Sequence, residues 1–159
     1  MFDFVAIDFE TATNYIPCSL GIAVVKQSQV VEVRNWLIKP ICFPYFHFYA
    51  QKIHGIHKED VENEPTFDLI WNEVEPYLED TIIAAHNASF DILAKKVWKE
   101  STKYSLDFLS NQEHIELNHH HSDSDAEACA KLLIKEAEYL SCNSFEELKH
   151  ITKLRYTKV

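Results

Sequence analysis

Several stretches of the chain have the length and the side chains that are typical of β-strands. Three of them, residues 3–9, 20–25 and 30–38, are rich in β-branched and aromatic residues. Four polar residues, 26–29 (KQSQ), join the second run to the third and predict a hairpin turn. A shorter apolar run at residues 81–85 predicts a buried strand. These runs together predict a β-sheet that includes a hairpin.

Helical spacing dominates the other segments. In residues 67–78, apolar side chains recur at i, i+3, i+4 and i+7, directly after a Pro-Thr pair that can open a helix. Residues 89–99 also predict a helix. The clearest helix covers residues 122–140 and opens with an S-x-x-D capping pattern at Ser122 and Asp125. The chain therefore combines strands and helices.

Asp125 lies on the apolar face of this last helix. Apolar residues follow it at i+4, i+7 and i+8, namely Cys129, Leu132 and Leu133. A charge on a buried face needs a partner, because transferring it out of water is unfavourable. Asp125 is therefore a candidate for chemistry as well as for helix capping.

Three further carboxylates follow apolar runs. Asp8 and Glu10 differ by two positions at the end of the first strand, so they point to the same side, and Asp91 follows AAHNASF. Taken one at a time, these residues also have structural explanations. Asp8 and Glu10 are typical of an edge strand, and Asp91 is typical of the first turn of a helix. Gathered together with Asp125, they need neutralisation, because like charges disfavour joint ionisation. Divalent Mg²⁺ or Mn²⁺ with oxygen ligands is the usual solution.

Three consecutive histidines, His119, His120 and His121, precede Asp125. Alone, such a triplet is equally typical of a loop or of an adventitious transition-metal site. A neutral histidine beside metal ions can act as a general base, while two ions can activate a water and stabilise the leaving oxygen of a phosphodiester. The residues by themselves therefore predict a metal-dependent nuclease.

Charge and composition limit the partners. The net charge of −10 opposes broad binding to a duplex and favours short or single-stranded ends. Only five of the fifteen Lys and Arg residues precede residue 95, and the basic clusters at 95–103 and 149–158 are equally consistent with solvated helix faces. No apolar run approaches the roughly 20 residues of a membrane span. Four scattered cysteines and an N-terminus without a basic leader predict free thiols in the cytoplasm.

Four segments, in order, resemble the DnaQ-like 3′–5′ exonucleases of the DEDD superfamily. They are FVAIDFETAT, IHGIHKEDVENEPTF, AAHNASFDI and HHHSDSDAEACA. The subgroup with a histidine before the last Asp (DEDDh) includes the epsilon subunit of bacterial DNA polymerase III and RNase T. The resemblance covers about residues 2–140. It implies an α/β fold of the RNase H-like type, a mixed β-sheet flanked by helices, and the release of nucleoside 5′-monophosphates from 3′ ends.

The resemblance also implies roles for individual residues. The four carboxylates would hold two Mg²⁺ or Mn²⁺ ions, and His120, the one histidine with four residues between it and Asp125, would deprotonate the attacking water. Neighbouring carboxylates would raise the pKa of His120, so activity should climb toward mildly alkaline pH. Thr11 would contact the 3′-terminal nucleotide. His54 and Phe90 are candidates for the terminal base or sugar, with a turn and a core position as their structural alternatives.

The chain departs from the family between Asp91 and His120. Only 28 residues separate them, where relatives carry a further helix and a core strand. Such a loss would leave an unpaired sheet edge. Three explanations fit: a trimmed but working enzyme, a homodimer that covers its own edge, or a degenerate protein. The presence of all five site residues favours a working enzyme.

The resulting hypothesis is an exonuclease domain at residues 1–141 with a C-terminal helical extension at 142–159. Its expected substrate is the 3′ end of single-stranded DNA, as in proofreading or repair. An RNA-trimming or oligoribonuclease-like activity is the alternative, since contacts to the 2′-hydroxyl decide between the two. An interaction module that keeps the fold without turnover is the alternative of another class. Association with a polymerase rests on family analogy, and no membrane partner is expected.

Overall fold

The computed structural model describes residues 1–85 and 94–152. The strands in these ranges are β1 (Phe4–Thr13), β2 (Ile16–Lys26), β3 (Gln29–Leu37) and β4 (Ile83–Ala85). The helices are α1 (Phe48–His54), α2 (Lys58–Val61), α3 (Phe67–Leu78), α4 (Leu106–Gln112), α5 (Ser122–Tyr139) and α6 (Phe145–Thr152). Residues 94–97 are also helical. The predicted α/β class is confirmed.

The four strands form one mixed sheet in the order β3-β2-β1-β4. β1 and β2 pair antiparallel, as do β2 and β3, whereas β4 runs parallel to β1. The predicted hairpin joins β2 to β3. Its two central residues, Gln27 and Ser28, have φ angles of 50° and 62°, the left-handed conformation that a two-residue hairpin turn requires. The sheet is therefore assembled around the β1–β2–β3 meander.

Each face of the sheet is covered by a helix layer. On one face, α5 packs over Phe4, Ala6 and their neighbours on β2, and on the other α3 packs over Val5, Leu20 and Ile22. Because side chains alternate along a strand, the carboxylates of β1 share the face of Phe4 and Ala6. They therefore point toward α5.

The backbone of α5 approaches β2 very closely at its first turn. A Cβ atom added at Gly21 would overlap the main-chain carbonyl group of Ser122, and a glycine inside a strand is typical of such an approach. The predicted capping role of Ser122 is wrong. The N-cap is His121, which makes no side-chain cap bond. Ser122 does not cap the helix because its hydroxyl is buried against β2 and bonds to Ser19.

Other predicted elements differ from the structure at their boundaries. β4 is half-buried rather than buried. Its three residues pack against α5, but they lie at the edge of the described sheet and have a neighbouring strand on one side only. The predicted helix at 89–99 is described only from residue 94, and it ends at residue 97. None of the described residues from 94 to 121 forms a strand, in agreement with the predicted shortening of the family fold.

The C-terminal helix belongs to the same core as the sheet. Leu148 on α6 is fully buried in the cluster that contains Phe2 and Phe4, and the ring of Phe145 meets that of Phe2 edge-on at 4.9 Å between centroids. The structure shows one core on both sides of residue 141. The domain division at this residue stays a prediction from the sequence. None of the described helices is long and apolar enough to cross a membrane.

Candidate active site

Three of the predicted site carboxylates come together between β1 and α5. Asp8 and Glu10 project from β1, Asp125 projects from the first turn of α5, and one oxygen of each lies within 4.8 Å of the others. Glu10 and Asp125 are buried. The alternation of β1 aims the first two side chains, and the close approach at Gly21 brings the third to them. Asp91 and Phe90 lie outside the described residues.

The electrostatics of this cluster are unfavourable without a cation. Burial and, secondarily, the charge of Asp125 raise the pKa of Asp8 to about 7. Burial and the charges of Asp8 and Asp125 raise the pKa of Glu10 to about 8. Both carboxyl groups therefore resist ionisation near neutral pH, because removing charges from water and placing them side by side are both costly.

The donor set fits a hard divalent cation. Three carboxylates supply oxygen ligands of the kind that Mg²⁺ and Mn²⁺ prefer. A cation would offset the burial and the repulsion that raise the pKa values of Asp8 and Glu10. A second group, formed by His119, His120 and Asp125, also has its ligand atoms within 4.8 Å of one another. It offers two nitrogens and shares Asp125 with the first group, so it suits a softer transition metal.

The histidine run forms a loop that contacts Asp125 directly. The Nδ1 atom of His119 donates to the carboxylate of Asp125 at 3.1 Å, and the backbone N–H of His120 donates to the same group at 3.1 Å. The rings of His119 and His120 stack, with 3.8 Å between their centroids. The φ angle of His120 is 69°, a strained conformation for this residue type that is common at functional sites. Sequence spacing selects His120 as the candidate base. In the structure, however, His119 is the histidine whose side chain bonds to Asp125.

The expected increase in the pKa of His120 is wrong for this geometry. Burial lowers the pKa below the ordinary histidine value, and the neighbouring His119 lowers it further. Asp125 and Asp107 act in the opposite direction and are outweighed. Sequence spacing could identify the carboxylates but not the partial burial of the ring. The imidazole is neutral near neutral pH, the form that a general base requires.

The structure describes two of the three predicted substrate contacts, Thr11 and His54, which share a hydrogen bond. Thr11 follows Glu10 at a bulge in the pairing of β1 with β2. His54 is buried, its Nε2 donates to the carbonyl oxygen of Thr11 at 3.1 Å, and its Nδ1 accepts from the backbone N–H of Ile56 at 3.0 Å. Both ring nitrogens of His54 are thus occupied. These contacts agree with the structural alternative, in which His54 stabilises the turn at the end of α1.

A buried polar network beside the cluster escaped the sequence analysis. The hydroxyl groups of Ser19 and Ser122 share a hydrogen bond of 2.7 Å, and the Asn35 amide donates to Ser122 at 2.8 Å and to Ser19 at 3.2 Å. Ser19 pairs with Glu10 across the two strands. The network joins β2, β3 and α5 where the carboxylates meet. Gly21, an isolated glycine in a β-branched run, is the sequence signal that could have indicated this contact.

Comparison with curated proteins gives relatives much longer than this chain. The 3′-5′ exonuclease DinG of Staphylococcus epidermidis is 27% identical in an alignment 187 residues long, gaps included. This alignment covers 96% of this chain and 20% of DinG. The PolC-type DNA polymerase III of Thermotoga maritima is 26% identical in an alignment 183 residues long, gaps included. This alignment covers 97% of this chain and 13% of the polymerase. The chain thus spans about a fifth or less of these relatives.

Solved structures and the family profile agree with this similarity. Exonuclease X, solved in complex with 5′-overhanging duplex DNA, superimposes with a TM-score of 0.71 and 22% identity over 85% of this chain and 91% of that chain. This likeness shows the RNase H-like fold of the exonucleases. The profile of the exonuclease (RNase T) family matches residues 5–93, more than half of the chain. The chain belongs to the exonuclease family.

Proposed function

We propose that this chain is a metal-dependent 3′–5′ exonuclease that releases nucleoside 5′-monophosphates from nucleic-acid ends. The observation that supports the proposal most strongly is the cluster of Asp8, Glu10 and Asp125, which gathers three oxygen ligands within 4.8 Å beside a histidine loop. Membership of the exonuclease family supports the same reaction.

In the proposed mechanism the three carboxylates, with Asp91 from the sequence resemblance, would hold two Mg²⁺ or Mn²⁺ ions. When bound, such ions acidify water and stabilise charge on a leaving oxygen. His120 takes the proton of the attacking water as a neutral base. The water oxygen bonds to the terminal phosphorus, and the bond from that phosphorus to the 3′-oxygen of the penultimate nucleotide breaks. The departing 3′-oxygen takes up a proton from solvent, and His120 releases its own proton to solvent. His119 positions Asp125 through their hydrogen bond, and Thr11 contacts the terminal nucleotide.

The proposed substrate is the 3′ end of single-stranded DNA. A net charge of −10 is unfavourable for broad duplex binding. The PolC-type relative is named as a DNA polymerase, and exonuclease X was solved with DNA. RNA trimming is the second candidate, and the choice between them depends on contacts to the 2′-hydroxyl. Association with a DNA polymerase is proposed from the PolC-type relative alone.

Digestion of matched DNA and RNA oligomers tests the proposal. Each oligomer carries a 5′ label and is incubated with Mg²⁺, Mn²⁺ or EDTA. We expect a ladder that shortens from the 3′ end, faster on DNA, and that disappears with EDTA and in Asp8→Asn. Asp68→Asn, an exposed carboxylate on α3, is the matched control and should cleave like the wild type. Absence of cleavage by folded wild-type protein would support the interaction-module alternative, and faster cleavage of RNA would favour the trimming role.

A further inference from the structure

The segment that runs from the end of β3 to the first residue of α2 differs in charge from the rest of the chain. Residues 39–58 contain three lysines, three histidines and no acidic residue, although the whole chain carries a net charge of −10. The described structure places α1 in the middle of this segment. A polyanion approaching the protein meets less repulsion here than over its acidic surfaces.

The same segment exposes aromatic side chains that a folded protein usually covers. Phe48 is 70% exposed, Tyr49 is 66% exposed and Tyr45 is 59% exposed. The rings of Phe48 and His47 each lie 5.7 Å from that of Tyr49. We call Tyr45, His47, Phe48 and Tyr49 the α1 platform. A group of exposed aromatic rings, in contrast to scattered apolar residues, is typical of a binding surface.

The α1 platform is attached to the strand that carries the site carboxylates. The backbone N–H of His47 donates to the carbonyl oxygen of Ala12 at 2.8 Å, at the start of α1. His54, at the other end of the helix, donates to the carbonyl oxygen of Thr11. Glu10 directly precedes these two residues on β1. Both ends of α1 are therefore attached to β1 within two residues of Glu10.

We propose that the α1 platform stacks unpaired bases of a single-stranded nucleic acid whose 3′ end lies at the carboxylate cluster. The inference rests on the proposed exonuclease function and extends it to the recognition of the strand behind the terminal nucleotide. Aromatic rings stack on any base, and nearby lysines such as Lys52 attract the phosphates without sequence preference. Bases in a duplex are already stacked and paired, so the platform selects single strands.

Binding of labelled oligomers to the full chain tests this proposal. The probe is a single-stranded DNA of about 12 nucleotides, measured by fluorescence anisotropy in Ca²⁺ with its integrity checked on a gel. We expect the double substitution Phe48→Ala, Tyr49→Ala to weaken binding by about tenfold or more, because two stacking surfaces are lost. Leu69→Ala removes an exposed apolar side chain of α3 and is the control that should bind like the wild type.

Abasic probes separate stacking from charge. An oligomer that lacks the bases upstream of its terminal nucleotides should bind the wild type as weakly as the intact oligomer binds the double variant. The double substitution should not weaken it further. Lys52→Glu should weaken binding of both probes, and this second variant leaves the aromatic rings intact. Equal losses for intact and abasic probes in the double variant, or no loss at all, would overturn the proposal.

Two further measurements distinguish a failure of the stacking proposal from a failure of the proposed exonuclease function. The p-nitrophenyl ester of thymidine 5′-monophosphate has no upstream bases, so the double variant should hydrolyse it like the wild type. If the wild type cleaves neither this ester nor the labelled oligomers but binds the intact probe through the platform, the exonuclease function fails alone. Light scattering must show the same mass for both proteins. A wild-type dimer that the double variant dissociates would assign the surface to a second copy and overturn the proposal.

Discussion

Single side chains determine the electrostatics of this protein, and a pair of carboxylates on β1 contrasts with a third carboxylate on α5. Asp8 and Glu10 have raised pKa values inside a cluster that a cation would neutralise. Glu136 is fully buried on the same helix as Asp125, and neither of its oxygens has a hydrogen-bond partner among the described residues. The first pair is explained by the proposed metal site, whereas Glu136 is an unfavourable burial that the proposed mechanism does not use.

Replacing Glu136 should stabilise the protein. Burial raises the pKa of Glu136 well above its ordinary value, so stability is highest below the unfolded pKa and is lost as the pH rises toward the folded one. We expect Glu136→Leu to raise the free energy of unfolding by about 1–3 kcal/mol near neutral pH and by less under acidic conditions. Glu138→Leu, at an exposed position of α5, should change it little. Urea unfolding at both pH values measures this, and equal gains at both would contradict the assignment.

The two stacked histidines are expected to differ in kinetics. His120→Ala should lower kcat by about 10²- to 10⁴-fold, the usual contribution of a general base, with little change in the affinity for Mn²⁺. His119→Ala removes the hydrogen bond to Asp125, so it should weaken Mn²⁺ binding and have the smaller effect on kcat. Steady-state kinetics and calorimetry check both. A larger loss of kcat in His119→Ala would assign the base to His119.

At the scale of elements, the site depends on the contact between α5 and β2. Gly21→Ala places a methyl group where the main chain of Ser122 lies, so α5 must shift and take Asp125 with it. We expect a loss of about 1–3 kcal/mol in stability and weaker Mn²⁺ binding by calorimetry. Val74→Ala, which opens a cavity under α3 on the opposite face, should cost about as much stability and leave Mn²⁺ affinity unchanged. Equal Mn²⁺ affinity in both variants would contradict the coupling.

Elements were predictable where local signals and tertiary packing agree. The hairpin at residues 26–29 and the helix of residues 67–78 follow from turn residues and apolar spacing, and both are confirmed. The local capping pattern assigns the wrong role to Ser122, because the hydroxyl bonds to a distant partner, Ser19, which no local pattern reveals. The sequence also gives the wrong direction for the pKa shift of His120, because the burial of a loop side chain depends on the complete fold. The pairing of Asp8 with Glu10 needed only the period of a strand.

At the scale of the molecule, the N-terminal strand and the C-terminal helix share one core. Leu148 on α6 is fully buried with Phe2 and Phe4, so residues beyond the last site motif support the strand that carries Asp8. We expect Leu148→Ala to lower the free energy of unfolding by about 2–5 kcal/mol. Ile151→Ala, on the same helix at a position 46% exposed, should lower it much less. Comparable effects of the two substitutions in urea unfolding would contradict a shared core.

The central claim is that Asp8, Glu10 and Asp125 hold the ions on which hydrolysis of nucleic-acid 3′ ends depends. The most direct measurement titrates Mn²⁺ into the protein by calorimetry and, over the same concentrations, follows release of nucleoside 5′-monophosphate from single-stranded DNA. We expect the rate to rise with occupancy in the wild type, and both signals to be lost in Asp125→Asn and kept in the control Asp68→Asn. Full release of nucleotide in EDTA, or by Asp125→Asn, would contradict the claim.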